Sequence, residues 1–476
     1  PLPSGGAFFY QMLTFARPEA SIFALQKTNA MKDSIDFGSM EIPKLFRKLL
    51  IPTVLGMVFS AVFVITDGVF VGRGIGSDAL AAVNIAAPLF VFAAGMGLMF
   101  GMGGAIVASI NLARGKERVA NINATQATLV SFIGMTLVSI LVMAFPTSVA
   151  RILGAPEDII ELAREYLIAY AAFAMFQTAL CVLTFFTRID GPKIAMWCMT
   201  ISTVINIILD YLFIFVYKWG LTGAAVATGI GEIVGCILMV AYLLRYSPRV
   251  RLGKLKFSWK SIQLTARNSG YIIRLGFSAF LGEAAIGVMM LTGNYVFVSY
   301  LGTNGVAAFS IMCYFFPIIF MVFNAIIQSA QPIISFNHGY AAHGRAQQAL
   351  RLALIATIAT GLFFLVLTIL LREQIASLFI ADHTNYAWKY AVYGIPFFSI
   401  CYVFFGINIT TIGYYMSIEK SRLSTIFTVL RGIILPVICF FLLPLWLGVK
   451  GIWLAVAVAE FITFAVICIN ATCKRI

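Results

Sequence analysis

The chain has 476 residues, of which 61% are hydrophobic and only 11% are charged, and its formal net charge is +14. Soluble domains carry about a quarter charged residues, so this composition excludes a soluble fold. The eight cysteines stand singly without a CxxC pair, and the three histidines share no metal-ligand spacing with them. We therefore expect no metal site and no cofactor, and no constellation of Ser, His or Cys indicates an enzyme.

Twelve apolar segments follow one another along the chain, and each is long enough to cross a bilayer as a helix. Residues 1–43 precede them as an extension that contains neither a clear span nor a cleavable signal pattern. This extension is either partly foreign to the natural protein, with Met31 as the start, or an ordered arm. The predicted spans are residues 44–71, 79–112, 119–145, 161–187, 193–217, 221–245, 271–300, 304–337, 346–371, 386–412, 421–446 and 450–472.

The positive charges predict how these spans are oriented. The termini and the even-numbered connections carry 25 Lys and Arg residues, the odd-numbered connections carry seven, and Arg431 lies within a span. Because positive residues accumulate on the cytoplasmic side, we predict a protein of the cytoplasmic membrane with both termini cytoplasmic. The same distribution argues against a nucleic-acid partner, since the basic residues sit where the membrane requires them.

The two halves of the chain repeat each other at an offset of about 227 residues. Aligned pairs include Gly220 with Gly448, Gly223 with Gly451, and Glu232 with Glu460. Six spans per half preserve the orientation, so the repeat is parallel and its pseudo-two-fold axis lies along the membrane normal. We predict an all-α polytopic membrane protein with two six-helix lobes. The N-lobe is residues 44–245, the basic cytoplasmic linker is 246–270, and the C-lobe is 271–476.

Two carboxylates lie at a similar depth in the N-lobe, Asp67 in the outer half of span 1 and Asp210 in the outer part of span 5. Charged residues inside a membrane are costly and usually mark an ion or substrate pathway. Two neighbouring carboxylates in a low-dielectric site favour uptake of a proton or binding of a cation such as Na⁺. Asn206 shares a helical face with Asp210, and Thr228 shares one with Glu232, so both polar side chains are candidates for the same site.

Three glutamates also lie near the middle of predicted spans, and ion pairing is the structural alternative for several of these acids. Glu283 lies near the middle of span 7, while Glu232 and Glu460 are mid-span at equivalent positions of the repeat. We expect Glu460 to be structural, and Glu232 stays undecided. The alternative ion pairs are Asp67 with Arg73, Asp210 with Lys218, and Glu460 with Arg431.

Several stretches of sequence resemble motifs of the MATE family, the multidrug and toxic compound extrusion transporters. The resemblance covers about residues 40 to 472, and the motifs are fairly specific as a set. The stretches are Asp67-Gly68-Val69-Phe70-Val71-Gly72-Arg73 with Ala79-Leu80-Ala81-Ala82-Val83, Asn206-Ile207-Ile208-Leu209-Asp210, Gly220-Leu221-Thr222-Gly223-Ala224-Ala225, and Gln331-Pro332-Ile333-Ile334-Ser335-Phe336-Asn337.

This resemblance implies two bundles in a V that alternate access and export organic cations in exchange for H⁺ or Na⁺. The ion-coupling residues that it implies are Asp67, Asn206, Asp210, Thr228 and Glu283. Glu283 is similar to the Glu in the second-lobe cation site of the NorM branch. Candidates for the substrate cavity are Tyr170, Gln177, Tyr211, Glu232 and Met289.

The chain departs from the family pattern at three places. Tyr211 follows Asp210 where many relatives carry Pro, and Thr184 and Phe185 precede Arg188 where many carry Asn. Span 10 contains no acid, although the NorM branch has an Asp there. The pattern is therefore closer to DinF-like and MepA-like members and favours coupling through the N-lobe acids.

We predict a multidrug efflux antiporter that acts as a monomer in the lipid bilayer, with small-molecule drugs and H⁺ or Na⁺ as its partners. The alternative within transport is a flippase or an exporter of a specific metabolite or lipid-linked substrate. Such a protein would show several cationic residues along its cavity, whereas Arg431 is the one basic residue placed deep in a span. The alternative of another class is an ion channel or a membrane sensor.

Overall fold

The computed structural model describes residues 35–155, 157, 159–255, 258–380 and 382–473, which are nearly all helical. The chain divides into a unit of residues 1–40, whose described part is a short turn, and a unit of residues 41–476. The helices of the first half of the larger unit are α1 (Ile42–Gly74), α2 (Ser77–Ala113), α3 (Glu117–Ala144), α4 (Pro146–Ile152), α5 (Ile160–Ala171), α6 (Ala174–Asp190), α7 (Pro192–Tyr211) and α8 (Gly220–Arg245).

The second half continues in the same manner, with a long first helix. Its helices are α9 (Trp259–Gly339), α10 (His343–Leu370), α11 (Arg372–Phe379), α12 (Tyr386–Ser399), α13 (Cys401–Ser417), α14 (Ser421–Val429), α15 (Leu435–Leu447) and α16 (Val449–Cys473). Wider π-helical turns follow α7 at Leu212–Val216 and join α14 to α15 at Leu430–Ile434. Such turns interrupt regular helices and are frequent at functional sites.

Twelve membrane crossings follow from these helices. Among the described residues, nine helices are individually long and apolar enough to cross a bilayer, and two bent pairs raise the number to eleven. The pairs are α5 with α6, bent by 45°, and α12 with α13, bent by 41°. The 81-residue α9 supplies two crossings because Gly302 breaks it with φ 63° and ψ −158°. The predicted number of spans and the all-α class are confirmed.

Helix α9 begins at Trp259, twelve residues before the predicted seventh span, so the last part of the predicted linker is helical. Ser258 caps it, since the Ser258 side chain accepts a hydrogen bond from the backbone N–H of Ser261 at 3.2 Å. The rest of the connection lies on the first half of the molecule. Asp190, at the end of α6, accepts hydrogen bonds from the Ser247 hydroxyl (2.5 Å) and from two backbone N–H groups just beyond it (3.1 and 2.7 Å).

The two halves meet backbone to backbone where the second part of α2 crosses the start of α9. A Cβ added to Gly103 would overlap the Ile272 carbonyl oxygen, and one added to Gly276 would overlap that of Met99. Glycine at these positions permits the close approach. Polar contacts at the same end come from Gln126 of α3, which donates to Thr265 at 2.8 Å and accepts from Asn268 at 3.1 Å.

Candidate functional site

A cavity of about 480 Å³ lies between the two halves of the molecule. Its wall comes from α1, α2, α6, α7 and α8 of the first half and from α9 of the second. This volume falls in the range of pockets that hold drug-sized molecules. The wall is mostly apolar, with a few polar and charged side chains: Gln177, Arg188, Asn206, Thr228, Glu232, Glu283, Asn324 and Gln328.

Asp210 stands at the end of α7, directly before the π-helical turn, and its side chain has no exposed surface. Neither of its carboxylate oxygens accepts a well-formed hydrogen bond from the described residues, although the Asn206 side chain is close enough to interact with the carboxylate. Asp67 of α1 is close enough to Asp210 to interact with it electrostatically, as the sequence predicts. The alternative partners Arg73 and Lys218 do not act on these two acids in the described structure.

Tyr166 of α5 connects these acids and was missed from the sequence. Its hydroxyl is close enough to interact electrostatically with Asp67, Asp210 and Glu232 together. Its ring stacks on Tyr170, one helical turn later, with centroids 6.2 Å apart and planes at 13°. The spacing of four residues between the two tyrosines is the signal that places both on one helical face. Tyr170 in turn donates a hydrogen bond to the side-chain oxygen of Gln177.

Asn206 and Thr228 join the same region from α7 and α8. The Asn206 amide donates to the Thr228 hydroxyl at 3.3 Å, while its own side-chain oxygen has no donor among the described residues. The Glu232 Oε2 atom is also buried without a donor there. Buried acceptors normally have partners, so several unpartnered oxygens in one place require an explanation. Together with Asp210 they form what we call the acceptor cluster, defined as Asp210, Asn206 and Glu232.

The structure does not bring every predicted residue to the cavity. Asn206, Thr228, Glu232 and Gln177 line its first-half side, and Glu283 lies on the α9 side. Met289 is buried but does not line the cavity, whereas its neighbour Met290 does. Tyr211 is 53% exposed and also lies off the cavity wall. The carboxylates of Asp67 and Asp210 lie behind the wall rather than on it.

The second half pairs its buried glutamate with an arginine, whereas Glu232, the equivalent residue of the first half, has no cationic partner among the described residues. Arg431 Nε donates to Glu460 Oε1 at 2.8 Å, and both side chains are buried, so the predicted ion pair is confirmed. Asn408 donates to the other carboxylate oxygen of Glu460 at 2.7 Å. The Arg431 guanidinium also lies 4.2 Å from the centre of the Phe405 ring. This network satisfies a buried charge that would otherwise be costly.

Arg188 corrects the sequence-based view that Arg431 is the one basic residue deep in a span. It stands near the end of α6, is only 9% exposed, and lines the cavity. Sequence position near a span end suggested an interfacial residue, but the two halves close around it. Its guanidinium donates to the side-chain oxygen of Gln328 on α9.

One family model of known proteins matches this chain twice. The MatE family model matches residues 52–212 and again residues 281–441, one match in each half. The two matches begin 229 residues apart, close to the offset of the internal repeat. Together they cover more than half of the sequence.

Curated relatives share most of their length with this chain. The multidrug export protein MepA of Staphylococcus saprophyticus is 24% identical over 414 residues, which are 87% of this chain and 89% of the relative. MepA of Staphylococcus aureus strain MSSA476 is 23% identical over 427 residues, which are 89% of this chain and 92% of the relative.

Solved structures share the fold at lower identity. One is the outward-facing conformation of a multidrug resistance MATE family transporter of the MOP superfamily, with a TM-score of 0.84, 21% identity, and coverage of 91% of this chain and 95% of that one. Another is a MOP superfamily transporter from Pyrococcus furiosus whose binding pocket is described as reversed in polarity. It has a TM-score of 0.83 and 20% identity, and the match covers 91% of this chain and 95% of that one.

Proposed function

The chain belongs to the MatE family of membrane transporters, and we propose that it is a multidrug efflux antiporter. It exports organic, often cationic compounds in exchange for H⁺ or Na⁺, and it works as a monomer in the cytoplasmic membrane with both termini in the cytoplasm. The multidrug export proteins that it resembles over most of its length support this proposal. So does a cavity of drug size between its two halves.

The acceptor cluster is the observation that carries the antiport proposal. Asp210 is wholly buried and has neither a well-formed hydrogen bond nor a cationic partner among the described residues, and unpartnered oxygens of Asn206 and Glu232 lie in the same region. A buried carboxylate is costly unless a positive charge compensates it, and a proton or a sodium ion is the compensation that an antiporter supplies. Asp67 adds a second carboxylate within electrostatic reach.

In the proposed cycle, an ion enters from the outside and binds at Asp67 and Asp210, while Asn206 and Thr228 offer an amide oxygen and a hydroxyl. Ion binding drives the cycle only if the two orientations of the carrier bind the ion with different affinity. The change of charge at Asp210 acts on the cavity through Tyr166, which is within electrostatic reach of both Asp210 and the cavity residue Glu232. Substrate then leaves outward, and the emptied carrier turns inward and releases the ion.

The cavity wall fits varied organic cations. Glu232 and Glu283 present carboxylates from the first and second halves, so a cation between them is attracted from two sides. Aromatic and methionine side chains fill much of the remaining wall, including Phe90, Phe185, Phe320, Met57, Met290 and Met321. Flexible thioethers repack around ligands of different shape, which suits a promiscuous binding surface.

Purified protein in vesicles tests this proposal directly. Efflux of a cationic dye is measured with a proton gradient alone, with a sodium gradient alone, and with neither. We expect one gradient to drive dye against its own concentration gradient. Dye movement that never exceeds its own gradient would contradict antiport, and ion flux without dye would support the channel alternative.

A further inference from the structure

Arg188 is a buried cation without a carboxylate partner in the described structure. It is 9% exposed, and its side chain donates to the neutral amide oxygen of Gln328. Its guanidinium also lies 5.5 Å from the centre of the Phe185 ring. The contrast with Arg431 is direct, because Arg431 is held by the carboxylate of Glu460 at 2.8 Å. The charge of Arg188 is therefore not neutralised by the part of the protein that the structure describes.

The same cavity also contains negative charge that is not ion-paired with Arg188. Glu232 and Glu283 line the wall together with Arg188, yet neither forms an ion pair with it in the described structure. The cavity therefore displays one guanidinium and two carboxylates as separate groups. An occupant that matches this wall carries a positive group and a negative group on one rigid body.

Arginine presents several N–H donors in a planar fork that matches a carboxylate in a bidentate manner. One donor of Arg188 is held by Gln328, which fixes the plane of the guanidinium against Phe185. Such fixation lowers the entropy that binding would otherwise cost. In a cavity with few polar groups, a charge-assisted hydrogen bond to this guanidinium discriminates strongly between an acid and its neutral ester.

We propose that Arg188 anchors a carboxylate, so that the cavity prefers amphoteric organic compounds, with a cationic group toward Glu232 or Glu283, over purely cationic ones. The inference rests on the proposed export function, since it names the substrate class of that same cavity. The fold alone does not decide this point, because a transporter of the same fold has a pocket described as reversed in polarity. In this chain, the charged side chains of the cavity wall determine which charges a bound compound carries.

A matched pair of dyes isolates the carboxylate. A rhodamine with a free carboxylate and its ethyl ester share one cationic ring system and differ in one negative charge and one ethyl group, and the apolar surface of that ethyl group favours the ester in an apolar cavity. Binding of each dye to purified protein is measured by fluorescence polarisation. We expect wild-type protein to bind the acid about tenfold more tightly than the ester, a preference that corresponds to about 1.4 kcal/mol. Equal binding, or tighter binding of the ester, would overturn the proposal without any mutation.

Substitutions then assign the preference to Arg188. We expect Arg188→Gln to remove most of the acid-over-ester preference and Arg188→Lys to keep part of it, because lysine retains charge but not the planar fork. Arg164→Gln changes an exposed arginine on α5 and serves as the matched control. If Arg188→Gln weakens both dyes equally, Arg188 serves the contact between the two halves and the proposal is wrong.

Dye binding tests the carboxylate anchor, and gradient-driven dye export tests antiport, so the two proposals can fail separately. Binding in detergent does not require an ion gradient, so the dye preference is measured whether or not transport is coupled. If the ester is exported by a gradient but no acid preference exists, only the carboxylate anchor is refuted. If the acid preference exists but neither dye is driven by a gradient, only antiport is refuted.

Discussion

Glu232 and Glu460 occupy equivalent positions in the two halves, but only Glu460 has a cationic partner in the described structure. Each stands twelve residues after a glycine with positive φ, Gly220 at 60° and Gly448 at 56°. Glu460 pairs with Arg431, whereas Glu232 keeps a buried oxygen without a donor. The repeat has therefore kept its backbone while the charges have diverged, and the divergence leaves Glu232 without a cationic partner among the described residues.

The two acids of the first half should be essential for coupled transport. We expect Asp67→Asn and Asp210→Asn each to lower gradient-driven dye efflux about tenfold or more. An amide does not titrate and brings no negative charge to attract a sodium ion, and an ion without differential affinity shifts no equilibrium. Vesicle efflux measures the rate, and Glu157→Gln, at a largely exposed carboxylate, is the control. Full efflux in both mutants, with normal membrane insertion, would contradict the role of Asp67 and Asp210 in ion coupling.

The hydroxyl of Thr228 provides a finer test of the same site. Thr228→Val keeps the shape of the side chain but removes the group that accepts from Asn206 at 3.3 Å. We expect a severalfold loss of ion-driven efflux, and a larger loss under a sodium gradient than under a proton gradient, because Na⁺ needs oxygen ligands. Thr222→Val on the same helix is the control, since Thr222 bonds to Glu165 outside the cavity wall. Equal effects of both variants would argue against a role for Thr228.

The Arg431–Glu460 pair predicts a stability effect rather than a transport effect. Arg431→Met leaves the Glu460 carboxylate buried without its cation, and losing one partner of a buried pair costs about 3 to 5 kcal/mol. The double variant Arg431→Met with Glu460→Leu should recover most of that loss. Thermal unfolding in detergent measures both. A single variant as stable as the wild type would show that the pair does not hold the second half together.

The contact between Gly276 and Met99 predicts that a larger side chain at residue 276 separates the two halves. Gly276→Leu places a side chain where a single Cβ already overlaps the α2 backbone, so we expect the halves to be held apart at this end. Gly270→Leu is the matched control on the same helix, because a Cβ added to Gly270 would meet no neighbouring atom within 4 Å. Spin labels at Lys116 and Lys420 report the separation. An unchanged distance distribution in Gly276→Leu would contradict this prediction.

Hydropathy and charge were sufficient to predict the class, the number of crossings and the Arg431–Glu460 pair. Those features depend on sequence-local properties, namely the length of apolar runs and the cost of a buried charge. The break at Gly302 falls in the predicted gap between spans 7 and 8, whereas the bends within spans 4 and 10 were not predicted. They depend on how each helix packs against its neighbours, which a single sequence does not report.

The structure brings several of the predicted site residues together, but it also includes residues that the sequence did not indicate. Asp67 and Asp210 were placed at one depth from topology, and the structure brings them within electrostatic reach. Tyr166 was missed because aromatic residues are common near the ends of membrane spans, so its presence there does not indicate a functional site. Arg188 was missed for a related reason, since burial of a residue near a helix end arises only when the second half closes over it.

The backbone contact between α2 and α9 has a consequence for selectivity. A seal made from glycine and carbonyl groups fits by shape alone, and no side chain in the cavity contributes to the Gly103 and Gly276 approach. The approach of the two helices therefore does not depend on the side chains that would contact a bound compound. Under the proposed export function, a substitution in the cavity wall can change which compounds bind without changing how the two halves meet here.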